Sequence, residues 1–361
     1  MRVLSITTMR NETPFILEWL AYHRLIGVTD FLIYSNDCDD GTDLMLEHLQ
    51  TMGLVTHQPN PRSSKKTVQW KALGRARNHP LMKAADWIMV SDVDEFLCIH
   101  AGGGHINDLL SACPDAEGFA IDWRMFGNNG IVKFEDRPMI EQFTQAAPDV
   151  MLWPWRAVQF KSLYRASNRY ERLGVHRPKL RKGENRWQNW VNGSGRSATQ
   201  LLGTVVPSVA PRYELAQFNH YALGSIENFL VKADRGKPNR SDDPIDLPYW
   251  IDRNFNTQED TRILRHAKAV EEQVALWKED AELNKLHQAG VAWRHQRIQD
   301  LIQDTETFLT LTRIRQAGGS EALPVPEQKA LFEHFMKLRR RLLAQQENGG
   351  STSPPNNPPN S

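Results

Sequence analysis

Cysteine is scarce in this chain. Cys38, Cys98 and Cys113 are the only three, and they stand at no spacing that would build a zinc site or a disulfide framework. That excludes a small disulfide-held scaffold and fits a reducing compartment. No apolar run reaches the length of about 20 residues that a membrane-spanning helix needs. The stretch after Met1 turns polar at once, without the apolar segment of a signal peptide. Charge of one sign is not in excess either: 44 Lys and Arg nearly cancel 43 Asp and Glu, for a formal net charge of +1. Nucleic-acid binders usually carry a basic surplus, so that class is disfavoured. Also missing is a glycine-rich phosphate loop, since neither G-x-G-x-x-G nor G-x-x-x-x-G-K-[ST] follows the first strand. Together these absences lead to the expectation of a cytoplasmic protein that is not a dinucleotide dehydrogenase.

What is present is enough apolar material for a sizeable core, with 40% hydrophobic and 24% charged residues among 361. Val3 to Thr8 reads as a strand, followed by the polar turn Met9 to Glu12. Pro14 suits the first turn of a helix that carries Phe15, Leu17, Trp19, Leu20 and His23. A second strand, Thr29 to Tyr34, ends in the polar loop Ser35 to Thr42, which caps a helix over Asp43 to Met52. Val55 to His57 is a short edge strand, and Lys65 to Ala85 is helical with a break at Pro80. Trp87 to Val90 then forms a buried strand that ends abruptly in Asp92, Asp94 and Glu95. Strands alternating with helices predict an α/β fold with a doubly wound, mostly parallel sheet.

In such sheets ligands sit outside the carboxyl ends of the strands. Two aspartates one residue apart at that edge suit a hard divalent cation bridged to substrate phosphates. A solvated acidic strand end is the plain alternative. The loops after three strands would converge there: Thr8, Arg10, Asn11 and Glu12 after the first, Asp37, Asp39 and Asp40 after the second, Asp92 and Asp94 after the fourth. Converging polar loops make a nucleotide-type crevice. Without a glycine-lined phosphate loop, the phosphate charge needs a metal or cationic side chains, for which Lys71 and Arg75 are candidates.

The order Arg10-Asn11-Glu12, Glu18-Trp19-Leu20-Ala21-Tyr22-His23, Asp40-Gly41-Thr42 and Asp92-Val93-Asp94-Glu95-Phe96 resembles family 2-type glycosyltransferases. More narrowly it is similar to the branch related to family 92. The resemblance implies a GT-A fold, a nucleotide-sugar-binding sheet with a D-x-D site in which Asp92 and Asp94 hold Mn2+ or Mg2+ against the diphosphate of a UDP- or GDP-sugar. By the same likeness, the loop Thr8 to Glu12 and the stretch Asp37 to Asp40 hold base and ribose. Cys38 stands where relatives carry serine, and a thiol is a poorer hydrogen-bond partner.

The likeness continues through Trp123 to Gly130, Gly174 to His176, Asn219 to Tyr221 and Ser225 to Lys232. It implies that His220 completes the metal shell, and imidazole suits Mn2+ better than Mg2+. Lys232 and Arg235 either reach the diphosphate or form a solvated helix face. Asp122 and Glu141 are candidate general bases, although a strand carboxylate such as Asp122 is more often paired to an arginine, here Arg124 or Arg137. The resemblance ends near Gly236. Thr261 to Leu286, Ala292 to Gln316 and Pro326 to Gln346 read as long charged helices whose apolar positions imply packing on the core domain or on another subunit. Their basic cluster, Lys337 to Arg341, is a solvated face or, as the minority reading, a peripheral contact at an inner membrane.

The expectation is therefore a GT-A domain over residues 1–255, a helical extension over 256–346 and a disordered tail over 347–361. Its activity would be metal-dependent sugar transfer, of inverting type by the resemblance, to a glycan or lipid-linked acceptor. A nucleotidyltransferase and an inactive glycan-binding scaffold with the same fold are the rivals.

Overall fold

The computed structural model describes residues 1–62, 67–184, 187–198, 212–236 and 245–348. Its amino-terminal part alternates as expected: β1 (Val3–Met9), α1 (Thr13–Leu25), β2 (Asp30–Ser35), α2 (Thr42–Thr51), β3 (Thr56–Pro59), α3 (Val68–Ala76), α4 (Pro80–Ala84) and β4 (Trp87–Val90). These strands lie in the order β3-β2-β1-β4, all parallel. Parallel strands joined by helices are covered on both faces, which is why every residue of β4 is apolar and buried.

The chain continues through β5 (Glu95–Ile99), α5 (Ile106–Ala112), β6 (Gly118–Met125), α6 (Met139–Gln142), β7 (Gln145–Ala146), β8 (Phe160–Arg165), the hairpin of β9 (Tyr170–Arg172) and β10 (Lys179–Leu180), β11 (Trp190–Asn192) and β12 (Ala216–His220). Beyond β4 the sheet runs β8-β6-β12-β5, with β11 also paired to β6. β8 is antiparallel to both β4 and β6, and β12 is parallel to β6 but antiparallel to β5. The sheet is thus parallel in one half and mixed in the other. Glu95, read from sequence among the acids that end the central strand, begins a separate strand at the far edge. A tight turn causes the departure: the Glu95 N–H donates to the Asp92 carbonyl at 3.1 Å, and the Glu95 carboxylate accepts the Asp92 N–H at 2.9 Å.

The remaining elements are α7 (Ile226–Arg235), α8 (Leu247–Ile251), β13 (Gln258–Glu259) paired with β7, α9 (Ala267–Trp277), α10 (Ala281–Leu301), α11 (Thr305–Ala317) and α12 (Val325–Asn348). The helix boundaries differ from the sequence reading because Asp280 and Asp304 act as caps. Their carboxylates accept the N–H groups of Leu283 and Thr307, each at 2.8 Å, and so start new helices inside the expected ones. Of the expected tail over 347–361, residues 347 and 348 end α12 and the rest lies outside the described residues.

The helical extension shares the main core. Val270, Trp277 and Leu283 belong to the same apolar cluster as Ile16 and Leu20 of α1. At Gly290 a Cβ would fall 2.3 Å from the Thr13 methyl, so glycine is what lets α10 lie this close to α1. Among the described residues, no helix is long and apolar enough to cross a membrane.

Candidate active site

Strand register assembles the acidic centre. On the antiparallel pair of β5 and β12, Glu95 stands directly opposite His220, a placement that brings side chains of facing residues into contact. Asp94 precedes Glu95, and its carbonyl accepts the N–H of Tyr221 at 2.9 Å. One donor atom each from Asp94, Glu95 and His220 lie within 4.8 Å of one another. The imidazole packs on Trp123, ring centres 4.4 Å apart. Burial pushes the His220 pKa down to about 3, against the pull of Asp94, so the ring is neutral and keeps a lone pair to donate. Burial pushes Glu95 up to about 8, although Lys161 works in the other direction.

Two lysines face these acids. Lys161 rises from β8, wholly buried, and bridges Asp92 (3.2 Å) and Glu95 (3.0 Å). Lys232, on α7, lies 2.5 Å from Asp94 and also donates to the Ala222 carbonyl at 2.7 Å. Although burial opposes ionisation of Asp94, the Lys232 ammonium outweighs it and holds this carboxyl below the usual range. One turn on, Arg235 pairs with Glu12 and donates to the Arg10 carbonyl at 2.7 Å. These two residues clasp α7 to the β1–α1 loop. A pocket gathers Asn11, Glu12, Asp94, Lys232, Arg235 and Arg294, the last from α10.

Of the residues singled out in the sequence, the structure therefore brings Asn11, Glu12 and Asp94 into one pocket and His220 against Asp94. Asp92 is turned elsewhere. It is 37% exposed, meets Lys161 and Gln69, and has no atom in the three-donor group. Several other residues prove to hold the loops together. Asn11 takes a left-handed backbone (φ 56°), which asparagine tolerates. Its side chain both accepts from the Asp39 N–H (2.8 Å) and donates to the Asp39 carboxylate (3.2 Å). Arg10 donates to the Asp37 carbonyl at 3.2 Å, and the Asp37 carboxylate accepts the Arg62 N–H at 3.0 Å. Thr8 is half-buried in β1 opposite Tyr34.

The expectations for Asp40, Lys71, Arg75 and Asp122 need correction. Asp40 is buried, and its two oxygens accept the N–H groups of Thr13 (3.0 Å) and Thr42 (2.9 Å), so it caps the starts of α1 and α2 and has little left for a ribose. Lys71 donates to the Pro61 carbonyl (2.7 Å) and Arg75 to the Pro59 carbonyl (2.6 Å), which commits both cations to the edge of β3. Asp122 is fully buried in β6 and ion-paired to Arg212 at 3.0 Å, a partner the sequence reading did not consider. Its carboxylate is closed off from solvent. Glu141 is exposed on α6, whose Met139 lines the pocket.

The sequence reading missed Lys161, Asn228 and Arg294. Lys161 stands in a strand that also carries Ser162 and Arg165, too mixed to mark it as a buried, paired lysine. Arg294 sits in a charged helix among many similar residues and carried no mark either.

An α/β sheet that gathers carboxylates and cations beyond its parallel strands is built as a ligand-binding fold. The chain belongs to glycosyltransferase family 92, whose pattern matches residues 2–192. It is 30% identical over 151 residues to a glycosyltransferase family 92 protein of Oryza sativa subsp. japonica, covering 40% of this chain and 25% of that protein. To an Arabidopsis thaliana member it is 32% identical over 94 residues, covering 25% of this chain and 15% of that protein. The matches thus span a quarter or less of these relatives' own length. Among solved structures, S. aureus TarS 1-349 is similar with a TM-score of 0.29 and 11% identity, over 46% of this chain and 47% of that one.

Proposed function

We propose that this chain transfers a sugar from a UDP- or GDP-sugar to a glycan or lipid-linked acceptor, with a divalent metal at Asp94, Glu95 and His220. The observation that carries this reading is the meeting of those three donors, with Asp94 also lining the pocket that holds Lys232, Arg235, Asn11 and Glu12. The donor set fits Mn2+: two carboxylates and a neutral imidazole converge. Among the described residues, Glu95 Oε1 and His220 Nδ1 are buried without a hydrogen-bond partner. When bound, such an ion supplies Lewis-acid stabilisation of the departing diphosphate.

The chain's own residues would do the rest. Lys232 and Arg235 present fixed positive charge where negative charge grows as the sugar–phosphate bond breaks, in a site largely closed to water, where such charge acts most strongly. Asn11 and Glu12 set the wall of the pocket on the β1 side. Displacement with inversion needs a base for the acceptor hydroxyl. Glu141, exposed on the short helix that also supplies Met139 to the pocket, is the carboxylate proposed for it.

Calorimetric titration of UDP and GDP, each with Mn2+, Mg2+ or EDTA, tests this reading on wild type and Asp94→Ala. Metal-dependent binding of one nucleotide, lost in the variant, is the expected result. Failure of both nucleotides to bind under every condition would remove it.

A further inference from the structure

Arg294 carries a charge that its surroundings leave unneutralised. It projects from the middle of α10, beyond the family match, and is 2% exposed. Its guanidinium donates to the Asn11 backbone carbonyl and to the Asn228 side-chain oxygen, each at 2.5 Å, and lies 4.7 Å over the centre of the Phe15 ring. These partners are all neutral. Its Nε is buried and has no acceptor among the described residues. The acids that act on it from further away are engaged elsewhere, Glu12 with Arg235 and Asp40 with two backbone N–H groups. Burial accordingly lowers its pKa to about 10.

A buried charge without a counter-ion is strongly destabilising, and a guanidinium needed only to tie α10 to the Asn11 loop would be cheaper as a neutral amide. The pocket shows the same imbalance. It holds Lys232, Arg235 and Arg294 against two carboxylates, Asp94 paired with Lys232 and Glu12 paired with Arg235. One positive charge is left over, and it is that of Arg294. A ligand that brings its own negative charge would balance the site. Guanidinium is the side chain best suited to phosphate oxygens, which its N–H groups meet in a fixed planar array.

We infer that Arg294 is a ligand-binding residue that takes an anionic phosphate oxygen of the donor's diphosphate, so that α10 completes the donor site. The identity of that ligand rests on the nucleotide-sugar reading above; the anion site itself does not.

The test uses the full chain, with Arg294→Gln, Arg294→Lys and, as a control on the same helix, Arg297→Ala, which removes an exposed pair to Asp234. Probes are UDP, GDP, uridine, guanosine and inorganic pyrophosphate, each with Mn2+, and thermal melting without ligand checks folding. Removing a charge-assisted bond should weaken the diphosphate probes roughly ten- to hundredfold in Arg294→Gln. The nucleosides should be unaffected, Arg294→Lys should retain part of the affinity, and the control should match wild type. Equal affinity of Arg294→Gln and wild type for the diphosphates would overturn the inference. So would equal losses in the Gln and Lys variants that track a lowered melting temperature, because that is the mark of a purely structural tie. Arg294-dependent binding of pyrophosphate without binding of either nucleotide would keep the anion site and remove the nucleotide reading.

Discussion

The acids and the cations that line the pocket come from different parts of the chain. Asp94 and Glu12 belong to the region matched by the family pattern, whereas Lys232, Arg235 and Arg294 follow it. The acids are fixed by a sheet, through the turn after β4 and the pairing of β5 with β12. The cations hang on α7 and α10, which are held by packing against α1 and by contacts with the β1–α1 loop. Each part on its own would bring charge of one sign to the pocket. The pocket exists where the two meet, and the contrast teaches that the carboxy-terminal helices line it as well as sharing the core.

The harshest way to break that comparison is to separate the parts. A fragment of residues 1–255 lacks Val270, Trp277 and Leu283 from the shared core and leaves the α1 face open. It is expected to lose cooperative thermal unfolding, followed by circular dichroism; a sharp transition close to that of the whole chain would show that the extension is an appendage.

Next in size is the pair that joins the parts. Asp94→Ala leaves Lys232 buried beside no carboxylate and should cost about 3 kcal/mol of stability in denaturant titration, together with metal-dependent nucleotide binding. Adding Lys232→Met should recover most of the stability and none of the binding. If stability does not return in the double variant, charge pairing across the seam is not what Asp94 contributes. Smaller still is the seam itself. Gly290→Ala puts a methyl against Thr13 and should cost about 1–3 kcal/mol through overpacking; an unchanged denaturation midpoint would mean that α10 shifts freely.

The mildest expectation concerns pH. Glu95, raised to about 8 by burial, carries a proton at neutral pH that a metal must displace. Apparent Mn2+ affinity should therefore fall as pH is lowered through about 8, and Glu95→Gln should flatten the dependence. His220, held near 3, adds nothing to it above pH 5. A wild-type affinity that is constant from pH 6 to pH 9 would place Glu95 outside the metal shell.

Much of the parallel half was legible in the sequence because its signals are local. An apolar run that ends in Asp92-x-Asp94 marks a strand and its carboxyl end, and the polar loops after β1 and β2 are marked in the same way. The mixed half was not, because its order depends on pairings far apart in the chain. Nothing in the segment Asp92 to Leu97 tells that Glu95 opens a new strand at the far edge opposite His220. For that reason the three carboxylates were visible but their division of labour was not: Glu95 joins Asp94 and His220, while Asp92 turns to Lys161 and Gln69. Asp40 and Asp122 fit a binding or catalytic role by residue type. Their roles as helix cap and buried ion pair depend on Thr13, Thr42 and Arg212, contacts that only the fold supplies.

The most direct test of a site built across β5 and β12 is Mn2+ binding, read from the free-ion electron paramagnetic resonance signal. It would compare wild type, His220→Asn and Asp92→Asn at pH 8. The structure-based expectation is that His220→Asn loses most of its Mn2+ affinity while Asp92→Asn keeps most of it. The opposite ranking, with Asp92 essential and His220 dispensable, would contradict the site as assembled here and return the metal to the aspartate pair alone.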